Sequence, residues 1–249
     1  MKKKKKITKN TKVLREEKVQ KPHHIPIDVF IQEAKNLYQW AGEDQDALIA
    51  VGLAPGLIED LLARCEALSR AEALWFVERN TRREAVKKCA DVSARAFELK
   101  NRILGDFTFG FRNDPGPLKE TRAIRKIQRK VVLISGLLRL HALGEEHPEL
   151  LSGFGFDMGL LDQAFQTSAE LQLTMAEASM STIKSDELKS NRDQAYTHLK
   201  EAVDEIRSCG RFAFRGNKER TRGYSSNHIR QQNARNALSA KKPKKSSST

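Results

Sequence analysis

The chain has 249 residues, of which 39% are hydrophobic and 31% are charged. This balance is typical of a soluble globular protein and excludes collagen, a disulfide-rich miniprotein and an integral membrane protein. The formal net charge is +13, but residues 1–24 carry +8 and residues 211–249 carry +10, which leaves residues 25–210 at −5. The basic charge therefore belongs to the two ends, and the body between them is acidic.

The cysteines and the apolar stretches indicate where such a chain resides. Cys65, Cys89 and Cys209 are an odd number without a close pair, which is typical of a protein in the reducing cytoplasm. Residues 7–20 are too polar for the apolar region of a signal peptide, and the most apolar stretch, residues 131–143, is shorter than the ~20 residues that a spanning helix needs. We expect a cytoplasmic protein without a transmembrane segment.

The first half of the chain predicts three helices. Apolar residues at three- and four-residue spacing from Ile27 to Leu48 predict the first, which ends at the Gly and Pro residues of 52–56. A second helix is predicted from Leu57 to a turn near residue 80, and a third from there to Arg112.

The second half repeats this pattern after a strong loop signal at residues 113–117. Helical spacing predicts a fourth helix over residues 118–143, a fifth over residues 160–175 and a sixth over residues 188–214. No stretch alternates with the period of a strand. We therefore predict an all-α fold, a multi-helix bundle of about six helices.

An internal duplication is suggested when the chain is aligned with itself at an offset of 103 residues. Residues 52–112 then match residues 155–215 at eleven identical positions, against roughly 3–4 expected by chance. The matches include the glycine breaks and the ends of both segments, Phe109-Gly-Phe111-Arg112 and Phe212-Ala-Phe214-Arg215. Amphipathic helices of equal length would match in part, but they do not require these breaks and ends.

These patterns together predict the organisation of the chain. We expect two tandem three-helix repeats packed into one body, with a tail at each end, because the ends lack the periodic apolar residues that would offset the entropy of ordering them. The predicted segments are a disordered lysine-rich tail at 1–24, repeat one at 25–114, repeat two at 115–216 and a basic, largely disordered tail at 217–249.

Clusters of cations are the candidate binding sites. The lysine clusters of the tails lack interleaved aromatic residues, so we expect weak, salt-sensitive attachment to polyanions such as nucleic acid or an anionic surface. Residues 119–130 carry six further cations, which would either hold phosphates or pair with Glu201, Asp204 and Glu205. We predict internal pairing because the body is acidic. The candidate polyanion contacts are Lys2, Lys3, Lys4, Lys5, Lys6, Arg122, Lys126, Arg129, Lys241, Lys242, Lys244 and Lys245.

Catalytic patterns are missing from the sequence. No histidine follows a glutamate by three residues, as a di-metal helical bundle requires, and no phosphate-binding, dinucleotide or nucleophile-elbow motif occurs. We therefore predict no catalytic, metal-binding or cofactor-binding residue and no cofactor. The paired phenylalanines at 109 and 111 and at 212 and 214 are interpreted as core residues in preference to base-stacking ones.

Three segments carry a resemblance. Leu37-Tyr-Gln-Trp40, Leu57-Ile-Glu-Asp-Leu61 followed by Trp75, and residues 192–206 resemble segments of bacterial α-helical proteins of unknown function. The resemblance extends over roughly residues 27–224. It implies a helical fold and a bacterial source, whose polyanions would be the nucleoid, ribosomal RNA or anionic lipid. It assigns no functional residue.

Charge segregation without a catalytic pattern favours a non-enzymatic helical interaction or scaffold protein. In this hypothesis the acidic body contacts another protein or a second copy of itself, and the basic tails add attachment to polyanions. Two alternatives remain open. One is a nucleic-acid-binding protein that uses the basic flank 119–130 together with the tails, and the other is an enzyme with a pocket between the repeats.

Overall fold

The computed structural model of the protein describes residues 19–22 and 25–240. The described residues form helices and no strand, which confirms the predicted all-α fold. The prediction of about six helices is not confirmed, because this part of the chain contains nine. They are α1 (Ile27–Glu43), α2 (Gln45–Ala50), α3 (Leu57–Gly110), α4 (Pro115–Arg125), α5 (Lys130–Glu146), α6 (Pro148–Ser152), α7 (Gly159–Ala213), α8 (Lys218–Gly223) and α9 (Asn227–Ala240).

Two helices are longer than the sequence predicted. The predicted turn near residue 80 does not exist, because α3 continues unbroken from Leu57 to Gly110. The hydroxyl of Thr81 donates a hydrogen bond of 3.3 Å to the carbonyl of Val77 within the helix. The predicted fifth and sixth helices are likewise one helix, α7. Neither α3 nor α7 contains a proline, so no residue in either helix interrupts the backbone hydrogen bonds.

The predicted fourth helix is two helices. The chain leaves the helical path after α4, and Arg129 adopts an extended conformation before α5 begins. Two contacts hold this break. The ammonium of Lys100 donates a hydrogen bond of 2.9 Å to the carbonyl of Ile127, and the Ile127 side chain packs against Gly136, where an added Cβ would lie 2.7 Å from it.

The described residues form two compact units, which divide the chain differently from the predicted repeats. Unit one contains the described residues up to Glu72 and those from Ser190 onwards, and unit two contains Ala73–Lys189. Each unit therefore includes residues from both predicted repeats. Unit one has a core built around Phe30, Leu37, Leu61 and Ile206. The core of unit two includes Phe107, Phe111, Leu137 and Leu161.

The start of the predicted C-terminal tail belongs to unit one. Residues 218–223 and 227–240 are helical as α8 and α9, and Tyr224 between them is fully buried. Its ring stacks on Phe214 with centroids 5.7 Å apart, and its hydroxyl donates a hydrogen bond of 2.7 Å to Asp44 Oδ2. The basic composition of this segment did not predict that it is ordered, because the anchor depends on a single aromatic residue, Tyr224.

No helix in the described part of the chain has both the length and the apolar composition needed to cross a bilayer.

Replacing Gly210 tests the anchoring of Tyr224. A Cβ at this position would lie 2.1 Å from the Tyr224 ring, so Gly210→Ala should lower the free energy of unfolding by about 1–3 kcal/mol. Gly105 is the matched control, since it also lies inside a long helix but has open space around its Cβ position. Gly105→Ala should raise the stability by about 1 kcal/mol through helix propensity. Urea unfolding measures both, and equal effects of the two substitutions would contradict the anchor.

Candidate interaction surfaces

Residues 73–91 of α3 and residues 172–189 of α7, here called the middle segments, pack side by side within unit two. Ion pairs join them from Lys88 to Glu177 at 3.1 Å and from Lys184 to Glu78 at 2.7 Å. Sequence numbers rise along one helix as they fall along the other, so the segments are antiparallel. Most of these charges are solvent-exposed, so the pairs fix the register more than they stabilise the fold.

Burial is reversed in the middle segments. Three of the four buried side chains, Glu78, Thr174 and Ser185, are polar or charged, and the fourth is Cys89. The large apolar side chains lie outside, with Val77 63% exposed and Met180 72% exposed. The exposed set is Leu74, Phe76, Val77, Val86, Leu173, Met180 and Ile183. Exposed apolar side chains mark an interaction site where they form a continuous surface.

Four residues of α7 form a single line on this surface. Leu173, Ala176, Met180 and Ile183 are all exposed, and they follow one another at spacings of three, four and three residues. With 3.6 residues per turn, they lie on the face opposite to buried Thr174 and Ser185. We call these four residues the outer stripe. The sequence predicted no helix between residues 175 and 188, so it did not indicate this stripe.

The basic flank predicted at residues 119–130 lies on the outward side of α4 and of the following turn. Arg122, Lys126 and Arg129 are exposed, because Thr121, Ile124 and Ile127 occupy the buried face. No ion pair among the described residues involves any of the three. Asp204, a predicted partner, pairs instead with Lys200. The internal pairing that the sequence predicted for this flank is therefore not found in this part of the chain.

Neighbouring groups fix the flank on unit two. Arg125 donates a hydrogen bond of 2.7 Å to the hydroxyl of Thr108 on α3, and Arg139 pairs with Glu120. Lys100 lies beneath the turn with 3% of its surface exposed, and burial lowers the pKa of its ammonium. The exposed cations are thus carried on a fixed surface. The other predicted contacts, Lys2 to Lys6 and Lys241 to Lys245, lie outside the described residues.

The phenylalanine pairs are only partly core residues. Phe111 is fully buried, whereas Phe109 and Phe212 are exposed by more than half. The guanidinium of Arg112 lies 4.3 Å from the Phe109 ring, and that of Arg215 lies 4.9 Å from the Phe212 ring. Each exposed face is therefore covered by its own arginine, which favours a cation–π contact over base stacking at both positions.

A polar cluster in unit one joins α1 to the C-terminal helices. Glu33 of α1 accepts hydrogen bonds from the Arg207 guanidinium at 2.9 Å, the Ser226 hydroxyl at 3.1 Å and the His228 backbone N–H at 2.7 Å. Burial alone raises the pKa of the Glu33 carboxyl, but these hydrogen bonds outweigh it, and the pKa lies below its ordinary value. Sequence reasoning missed this cluster because its members are 174 to 195 residues apart.

A second group fixes α8 against α1. Arg220 holds Asp44 through two nitrogens, with Nε 2.8 Å from Oδ2 and NH2 2.6 Å from Oδ1, and its guanidinium lies 4.7 Å from the Trp40 ring. Bidentate pairing of this kind is stronger than a single surface ion pair. The pKa of the Tyr224 hydroxyl is raised by burial and by its hydrogen bond to Asp44, so the phenol stays protonated.

No cluster of metal-binding side chains occurs in the described part of the chain. In comparisons with known proteins, no family model, no curated protein and no solved structure matches this chain.

The Glu33 cluster makes stability depend on pH. A carboxyl whose pKa is lower in the folded state contributes its stability above the ordinary value of 4.5, and the contribution is lost as the pH falls through the folded pKa. Glu33→Gln should reduce the free energy of unfolding by about 1–3 kcal/mol at pH 7, and this difference should shrink below pH 4.5. Urea titrations at both pH values measure it. If Glu33→Gln lowers the free energy of unfolding by the same amount at pH 7 and below pH 4.5, a charged Glu33 is contradicted.

Proposed function

We propose that the protein is a non-enzymatic helical interaction protein that binds a second copy of itself through the outer stripe of α7. The single observation that carries this proposal is the reversed burial of the middle segments. Leaving large apolar side chains in water is costly, at ~25 cal/mol for each Å² of apolar surface. A partner that covers the outer stripe would recover this free energy.

The spacing of the outer stripe supports a helix as the partner surface. Steps of three, four and three residues are those of the a and d positions of a coiled coil, with Leu173 and Met180 at a and Ala176 and Ile183 at d. Knobs at such positions fit the holes of a facing helix that has the same spacing. The stripe is about one and a half heptads long, so we expect a dimer that dissociates on dilution.

The outer stripe is also complementary to itself. In an antiparallel pair of copies centred near residue 178, Leu173 of one copy faces Ile183 of the other, and the small Ala176 faces the large Met180. Two-fold symmetry then repeats each contact. Glu177 and Lys184 flank the stripe at e positions, where their ion pairs with Lys88 and Glu78 of α3 hold them beside it. These features favour a second copy over an unrelated partner.

The oligomeric state tests this function. Sedimentation velocity of the full-length protein should show a sedimentation coefficient that rises with concentration, and Met180→Glu should keep the protein monomeric because it places a charge in the apolar seam. Val131→Glu is the matched control, since Val131 is 68% exposed on α5, away from the stripe. The control should dimerise like the wild type. A wild-type protein that is monomeric throughout, or a Met180→Glu protein that still dimerises, would contradict the proposal.

Polyanion binding is a second candidate function, and the exposed basic flank favours it. The cations of the flank have no ion-pair partner among the described residues, so binding phosphates would not first require breaking internal pairs. Counterion release from a nucleic acid then drives association in a sequence-independent and salt-dependent manner. We propose that the flank and the basic tails act together in this attachment.

Charge reversal separates the flank from general electrostatics. The triple variant Arg122→Glu, Lys126→Glu and Arg129→Glu should weaken binding to a duplex oligonucleotide at low salt about tenfold or more, and should flatten the salt dependence. The control reverses three other exposed cations of unit two, Arg83, Lys87 and Lys189, and so changes the net charge equally. Fluorescence anisotropy at two salt concentrations measures both. Equal losses in the two triple variants would show that only net charge matters.

We also propose that the chain contains a tandem duplication. The bounds of α5 follow those of α1 by 103 residues at both ends, and the bounds of α7 follow those of α3 by 102 and 103 residues. Gly52 and Gly155, which are equivalent at this offset, both have a positive φ, at +103° and +78°. These correspondences support two copies of a unit with one short and one long helix. In an experimental structure, residues 27–72 should superpose on residues 130–175.

A cytoplasmic location is proposed from the cysteines. All three are free thiols, and Cys65 and Cys89 are buried. Burial raises the pKa of the Cys65 thiol to about 11, so it is protonated and unreactive at neutral pH. Nothing in this set requires an oxidising compartment. Full alkylation of the denatured protein after rapid lysis would support this location, and a disulfide found in the native cell would contradict it.

A further inference from the structure

A cavity of about 250 Å³ lies within unit one, at the place where the C-terminal helices meet α1 and α7. Glu33, Asn36 and Trp40 line it from α1, and Arg207 lines it from α7. The opposite wall is formed by residues 219–230, which belong to α8, α9 and the turn between them. This segment is held in place by the Tyr224 anchor and by the Arg220 to Asp44 pair. The cavity therefore exists only because the C-terminal helices are docked.

Three arginines line this cavity, and their charge is not fully neutralised. Arg207, Arg222 and Arg230 face only two carboxylates in the lining, Glu33 and Glu219. Glu33 is already engaged, because its two oxygens accept the three hydrogen bonds described above. The lining therefore keeps a net positive charge.

Two of the arginines have donors without an acceptor. The Nε groups of Arg207 and Arg230 are both buried and have no hydrogen-bond partner. The NH2 of Arg230 donates to Asn227 Oδ1 at 3.1 Å, which orients the guanidinium without neutralising it. A buried donor that lacks an acceptor is costly, at about 1–3 kcal/mol, and such groups are rare in folded proteins. Arg207 and Arg230 both line the cavity, and a guanidinium has five N–H donors, of which the hydrogen bonds to Glu33 and Asn227 use only some.

We infer that this cavity binds the phosphate group of a small molecule. The planar fork of a guanidinium matches the oxygens of phosphate and carboxylate in a bidentate manner, and convergent arginines are typical of phosphate sites. A cavity of about 250 Å³ is larger than a phosphate ion, so the rest of the molecule would lie beside Trp40, which is 37% exposed. This site is separate from the outer stripe and from the basic flank, so it goes beyond the proposed functions.

Trp40 provides a direct readout of binding. The chain contains two tryptophans, Trp40 and Trp75. In a Trp75→Phe background, Trp40 is the sole indole, and its fluorescence should change as inorganic phosphate saturates the full-length protein at constant ionic strength. Acetate titrated in the same way distinguishes a phosphate site from a general carboxylate site. Stronger binding of acetate than of phosphate would overturn the assignment.

Arginine substitutions locate the binding. Arg230→Gln should weaken phosphate binding at least tenfold, and Arg222→Gln, at an exposed position, should weaken it several-fold without affecting the fold. Arg211→Gln is the matched control, because Arg211 lies on α7 one turn beyond Arg207, is exposed and does not line the cavity. It should bind phosphate like the wild type.

Three further results would overturn the inference. The first is a wild-type protein whose Trp40 fluorescence does not respond to phosphate, and the second is an equal loss of affinity in the Arg222 and Arg211 variants, which would indicate net charge alone. A short oligonucleotide that displaces phosphate only when the basic flank is intact would assign the response to the flank, and would also overturn it. Phosphate binding that is lost in Arg230→Gln and kept in Arg211→Gln supports the site, whatever the oligomeric state.

Discussion

A helix packed against one other helix can bury only one of its faces, and this limit shapes the middle segments of α3 and α7. At 54 and 55 residues, both helices are far longer than the average helix of a globular protein. In unit two, the seam between the middle segments contains small and polar side chains such as Thr174 and Ser185. Apolar residues such as Met180 and Ile183 then remain on the outside. The proposed dimer follows from this limit, because a further helix is what completes a bundle.

In unit one, by contrast, a later segment of the same chain, α8 and α9, packs over the helices. Tyr224 packs on Gly210, a position where any larger residue would collide with the ring. Asp44 binds both Tyr224 and Arg220, and Glu33 binds Arg207, Ser226 and the start of α9. These contacts order residues that composition alone assigned to a tail. They also create the arginine-lined cavity, so binding at that cavity and docking of α8 and α9 stabilise each other by linkage.

The helical character of the chain could be predicted from the sequence, because apolar spacing and the Gly and Pro breaks are local signals. The continuity of α3 through residue 80 and the break at residues 126–129 could not be predicted. A charged run without proline or glycine is compatible with a continuous helix, as in α3, and the break after α4 depends on Lys100 and Gly136, which are distant in sequence. The sequence also could not show which face of α7 is buried, since the buried seam is the more polar face. Long-range contacts decided each of these features.

The most direct test of the account is the position of one copy of α7 against another. In a Cys209→Ser background, a protein with Ala176→Cys is mixed with one carrying Met180→Cys, and disulfide formation between them is followed under mild oxidation. An antiparallel pair centred near residue 178 places these two positions opposite each other, so the mixed disulfide should form faster than either homodimeric disulfide. A mixed disulfide that forms no faster than with the control Val131→Cys, on α5, would contradict self-association through the outer stripe.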